Sequence, residues 1–199
     1  MSVHLRRATI TRERPSTLDI AAEVLVANPT ASLAQVAEAA GIGRTTLHKH
    51  YPTRQDLLVA VAHDSLDRVE NAIAEAKLDT PGESTVDGLR RLVEALVPLG
   101  PRLAFLFRQP SLDDEPEIAA RAERLDEPVA AFALRAQQEQ VLRAGVSAWW
   151  ITSTLYALVY AAWEGVALGK LAPADAPRIA LDTTLAGLGF RDLTGQGGQ

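Results

Sequence analysis

The chain has 199 residues, 47% of them hydrophobic, enough for a sizeable core, which excludes a chain disordered over most of its length. It contains no Cys, which excludes disulfides, thiolate metal sites and a Cys nucleophile and suits a reducing, cytoplasmic setting. The formal charge of −5 is unevenly divided: residues 1 to 54 hold seven Arg or Lys against four acids, a net +3, so the remainder carries −8. A basic head on an acidic body can face a polyanion with one side only.

Residues 1–14 form a basic arm bearing Arg6, Arg7, Arg12 and Arg14, with no apolar stretch of signal-peptide length, so secretion is not expected. A first helix is expected from Thr17 to about Asn28, started by the Ser16-x-x-Asp19 capping box and striped by Leu18, Ala21, Ala22 and Leu25. A second follows Ser32-x-x-Gln35, buries Leu33, Val36, Ala37 and Ala40, and stops at Gly41, where a left-handed position favours glycine. A third, short helix runs from Arg44 to His50 with Leu47 inward and Ile42 and Tyr51 closing its ends. Thr53-x-x-Asp56 then opens a long helix to about Lys77, ended by the Thr80-Pro81-Gly82 break. Further helices are expected over about 84–98, 101–108, 116–143, 147–168 and 174–189, with Pro128 kinking or splitting the third of these. Residues 192–199 form a Gly/Gln tail with nothing to bury. Strand patterning is weak throughout, so the expected class is all-α.

Helix, glycine turn and short helix make a helix-turn-helix, whose second helix lies in the major groove of double-stranded DNA. Between Gly41 and Gln55 there is no acidic residue. With Leu47 inward, Arg44 and Thr45 are the expected readers of base edges, an Arg fork matching guanine and a Thr methyl touching thymine. Thr46, His48, Lys49, His50, Tyr51 and Arg54 offer charge or donors to phosphate, and Ser32, at the start of the preceding helix, joins this DNA-facing set.

The run S-L-A-Q-V-A-E-A-A-G-I at 32–42, followed by T-T-L-H-K-H-Y-P-T-R-Q-D-L-L at 45–58, resembles the TetR family of transcriptional regulators, whose usual pattern is T-L-Y-x-[HY]-F-x-x-K-[ED]-x-L-[LF]. The resemblance places the family's core Leu on Leu47, its phosphate-binding Tyr on His48, its His/Tyr on His50, its Phe on Tyr51 and its backbone-binding Lys on Arg54. His48 and Arg54 depart from the pattern, the first losing reach and the second changing geometry. The family implies a homodimer in which 15–53 reads DNA and 54–191 binds a small-molecule effector and the second subunit. It also implies a regulator, expected to be a repressor on a palindromic operator, that the effector releases.

The segment 149–169, WWITSTLYALVYAAWEGVALG, has one charge, Glu164, and the length to span hydrocarbon, yet Thr152, Ser153 and Thr154 in a row favour a helix buried in protein, with no membrane partner. Trp149, Ser153, Tyr156, Tyr160 and Trp163 follow helical spacing and mix apolar area with hydroxyls, as pockets do; as core aromatics with satisfied tips they would read the same. Phe105 and Phe107 face them as further lining for an apolar or aromatic effector, with Arg108 suiting an acidic ligand and Glu164 a basic one. Ala157, Ala161, Gly165 and Leu168 mark the other edge as a dimer seam, with Ile179, Leu185, Ala186 and Leu188. No enzyme is expected: His4, His48, His50 and His63 form no metal or catalytic cluster, and His63 with Asp67 reads as an exposed pair. The GIG and GLGF tracts lack a dinucleotide site's third glycine, so no cofactor or metal is called for. The competing reading is a helical ligand-binding or adaptor protein without DNA affinity.

Overall fold

Three reciprocal caps start helices in the first quarter of the chain. In the computed structural model, which describes residues 15–112 and 114–190 and so leaves the expected arm and tail outside the described residues, α1 (Thr17–Ala27) begins at Ser16. Its hydroxyl accepts from the Asp19 amide while Asp19 Oδ2 accepts from the Ser16 N–H at 2.7 Å. Ser32 with Gln35 starts α2 (Leu33–Ala39), and Thr53 with Asp56 starts α4 (Arg54–Glu75), by the same exchange, which satisfies two otherwise orphaned donors per helix.

Gly41, at φ 65°, turns the chain out of α2, and the amides of Gly41 and Ile42 bond back to Glu38 and Ala37 at 3.0 Å each. The short α3 (Arg44–His50) follows, pinned by Leu47, which is 1% exposed. Beyond α4 come α5 (Thr85–Leu96), a 3-10 turn over Val97–Leu99, α6 (Gly100–Arg108), a second 3-10 turn over Pro110–Leu112, α7 (Pro116–Gln138), α8 (Ala148–Ala167) and α9 (Ala176–Leu188). The protein is all-α; the one isolated β-bridge among the described residues joins Leu142 to Gly189. No helix among them is long and apolar enough to cross a membrane.

Packing follows the apolar stripes. α4 runs against α1, α5, α6 and α7, while α8 packs on α6, α7 and α9. A single core extends from Ala21 and Leu25 of α1 through Leu58 and Leu66 of α4 to Val159 of α8 and Leu181 of α9, so the N-terminal helices and the body share it. Two expectations are corrected here. α7 is not split at Pro128: that residue and Arg124, whose carbonyl lacks its usual helical donor, are both exposed, so water can replace the missing bond. It ends at Gln138, short of 143, because Gln140 takes φ 59° and the amides of Val141 and Leu142 fold back onto the Ala136 carbonyl, sending Leu142 into a second small core.

One charged side chain is deeply buried where the first helices meet the body. Arg102 of α6 is 3% exposed and reaches Asp19 Oδ1 of α1 at 2.6 Å, Asp64 Oδ2 of α4 at 2.5 Å and the Ser65 hydroxyl at 3.2 Å. Arg68 approaches the same two carboxylates at 3.5 and 3.3 Å. Burial pushes the Asp19 carboxyl up, but hydrogen bonds from Arg102 and Ser16 together outweigh it and hold the group below its usual 3.8.

A carboxyl depressed in the folded state stabilises above its unfolded value and loses that contribution as pH falls through its folded one. Asp19→Asn is therefore expected to melt below the parent at neutral pH, with the difference shrinking once the pH drops under 3.8, as thermal melts across that range would show. Leu47→Ala should cost about 2–5 kcal/mol in denaturant unfolding, since α3 has no other inward anchor.

Candidate functional site

The amino-terminal face of α3 collects the DNA-facing candidates. Arg44, Thr45, Thr46, His48, Lys49 and His50 are all exposed around the buried Leu47, and Arg44, Thr45, His48 and Lys49 border one shallow depression. Ile42 and Tyr51 are half-buried and pack on the core, with the Tyr51 ring 6.3 Å from that of His50. Ser32 is exposed, its hydroxyl engaged in the α2 cap. Arg54, expected on phosphate, is engaged at the α1–α2 loop in the free chain. Its Nε donates to the Ala31 carbonyl at 3.1 Å and a second guanidinium nitrogen to the Pro29 carbonyl, because the α1–α2 loop leaves those acceptors without helical donors. It braces the loop from the start of α4.

A second site opens in the body, a cleft of about 500 Å³ lined by Phe107 and Arg108 of α6, Asp126 of α7, and Trp149, Ser153, Tyr156 and Tyr160 of α8. Trp149 is 69% exposed and Phe107 65% exposed, and the Phe107 ring stands 5.8 Å from Tyr156, so two large aromatic surfaces face water at its mouth. The Arg108 guanidinium lies 4.3 Å over the Tyr160 ring, and the Tyr160 hydroxyl donates to Glu164 Oε1 at 2.6 Å.

Two expected lining residues fall elsewhere. Phe105 is fully buried, because α6 is enclosed on all sides from Gly100 to Phe105, whereas Phe107 near its end is exposed. Trp163 packs over Gly100, where any Cβ would overlap its ring, so it locks α8 to the start of α6 while its ring meets Tyr160 at 5.6 Å. Of the residues expected at a dimer seam, Ala157, Ala161, Leu168 and Ala186 are exposed and Ile179 and Leu185 half-buried, while Gly165 is covered by Leu171 and Leu188 is buried. The exposed His63–Asp67 pair is also corrected: Arg121 of α7 takes Asp67 at 2.7 Å and sits 3.3 Å from His63 Nδ1.

Asp126 was missed by sequence reasoning. It sits in the charged run E-R-L-D-E-P, which resembles a solvated face, yet it flanks the buried Leu125 and Val129, and that spacing marks it as turned partly inward. Burial pushes its carboxyl up, and burial followed by the Asp126 charge pushes the Tyr156 phenol up as well. The Tyr160 phenol is raised above 10.0 chiefly by its hydrogen bond to Glu164. Ultraviolet titration of Glu164→Ala should bring that phenol back toward 10.0, the hydrogen bond to the carboxylate having gone.

Comparison with known proteins identifies the family. The family model described as bacterial regulatory proteins, tetR family, matches residues 18–61, which span α1 to the start of α4. The chain is similar to the HTH-type transcriptional repressor LfrR of Mycolicibacterium smegmatis, 39% identical over 154 residues covering 77% of this chain and 78% of that protein. It is also similar to the HTH-type transcriptional regulator NfxB of Pseudomonas aeruginosa, 33% identical over 77% of this chain and 82% of that one. Among solved structures, LfrR from Mycobacterium smegmatis in complex with proflavine superposes with a TM-score of 0.70 at 32% identity, covering 86% of this chain and 93% of that one.

Proposed function

The chain belongs to the TetR family, and on that premise we propose that it is a ligand-responsive transcriptional repressor working as a homodimer in the cytoplasm. The carrying observation is α3, a short rod with one buried leucine whose remaining side chains, all cationic, hydroxylated or imidazole, stand exposed. Arg44 and Thr45 read base edges; Lys49, His48, His50, Thr46 and Tyr51 position the rod on phosphates. Residues 15–53 serve as the DNA-binding unit and 54–191 as the effector-binding and dimerisation unit, with the exposed Ala161 and Leu168 of α8 offered to the second subunit.

The cleft between α6, α7 and α8 holds the effector. Its aromatic lining suits a flat, largely apolar ring system, and the LfrR complex with proflavine supports that chemistry. Two heads related by a twofold bind a palindromic operator with half-sites about one helical turn or somewhat more apart, and an effector that alters their separation weakens the grip on one half. That coupling is reciprocal, so operator DNA weakens effector binding by the same factor.

The test is operator binding by variants of the exposed face, on sites selected from random DNA. Lys49→Ala should weaken all sequences alike and flatten the slope of log affinity against log salt by about 0.9 for each phosphate that lysine neutralises. Arg44→Ala should relax preference at a single base pair per half-site, at about 1–3 kcal/mol. Unchanged binding in both variants would rule out this docking of α3.

A further inference from the structure

The two charges that sequence places near the cleft are both engaged by one ring: Arg108 lies over the Tyr160 face and Glu164 accepts the Tyr160 hydroxyl. Both are exposed, so water screens their charges. Asp126 is different. It lines the cleft from α7, half-buried, and makes no ion pair among the described residues. Beside it the Tyr156 hydroxyl, on a residue only 4% exposed, has the Asp126 carboxyl as its polar neighbour and no other hydrogen-bond partner among the described residues.

A buried phenol whose only polar neighbour is a carboxylate, and that carboxylate itself without a cation, are two polar groups that gain from the same visitor. An ionised carboxylate accepts hydrogen bonds and offers none, so it asks for N–H donors. The phenol can donate to one partner and accept from another. Around them Phe107 and Trp149 present exposed rings, which attract flat aromatic surfaces and cations together. The opposing charge of Arg108 is exposed to water and screened, whereas the attraction of the half-buried Asp126 acts through less water.

We propose that this cleft selects flat aromatic cations, the Asp126 carboxylate holding a protonated nitrogen or ring amino group of the ligand and the Tyr156 hydroxyl completing its hydrogen bonds. The proposal rests on the reading of this cleft as the effector site.

The experiment uses the full chain and probes of one tricyclic shape: proflavine as the cation, acridone as the neutral ring and an anthracene carboxylate as the anion. Binding is followed by tryptophan fluorescence, since Trp149 stands at the cleft mouth, and by release of operator DNA. The parent should prefer proflavine over acridone, and acridone over the anion. Asp126→Asn should weaken proflavine by roughly 10- to 100-fold while leaving acridone within about twofold, which also shows that the variant is folded. Tyr156→Phe should weaken proflavine by a smaller factor than Asp126→Asn does, since it removes one hydrogen bond and leaves the charge in place. Proflavine binding to Asp126→Asn at parental affinity, or equal affinity of the parent for all probes, would overturn the charge selection and leave the effector site standing. If no probe altered fluorescence or DNA release, the effector reading of the cleft would fall, and the charge selection with it.

Discussion

The arrangement of the molecule hangs on one guanidinium withdrawn from water. Arg102 is 3% exposed, and a buried cation is tolerated only if its donors find acceptors of good geometry. It finds them on two other helices, Asp19 on α1 and Asp64 on α4, with the Ser65 hydroxyl as a third. Two carboxylates facing one Arg would leave a negative excess, and Arg68 nearby offsets it. Replacing any member strands the others, so the mutual placement of α1, α4 and α6 is narrowly defined where a purely apolar contact would permit sliding.

Asp19 sharpens that constraint, since its two oxygens have separate duties. Oδ2 closes the α1 cap onto the Ser16 amide while Oδ1 meets Arg102. The start of the first helix and the salt-bridged joint are therefore one structural unit. α6 extends it to the cleft, because Arg102 points inward near its beginning while Phe107 and Arg108 line the cavity at its end, a separation of about 8–9 Å along the axis. The buried Arg102 and the cleft wall thus belong to one short rigid helix.

Much of the amino-terminal quarter is legible in the sequence because its determinants are local. Ser16, Ser32 and Thr53 announce helix starts through partners three residues on, Gly41 announces a stop through its φ, and Leu47 alone in a polar heptapeptide announces the inward face of α3. The body is less legible. Whether Phe105 or Phe107 faces the cleft depends on the rotation of α6, and the role of Trp163 depends on Gly100, far away in sequence. Arg54 reads as a phosphate donor by position, and no spacing rule reveals its bonds to the loop carbonyls. Asp126 hides in a charged run because its burial is supplied by other helices rather than by its neighbours.

α3 has a further property. Six of its seven side chains, Arg44, Thr45, Thr46, His48, Lys49 and His50, contribute little to cohesion, and substitutions at such exposed positions usually alter stability by no more than about 0.5 kcal/mol. The rod is thus held by one residue and written on by the rest. A duplicated gene could acquire a new binding vocabulary by changing that script alone, while its scaffold and its sensing machinery descend unaltered.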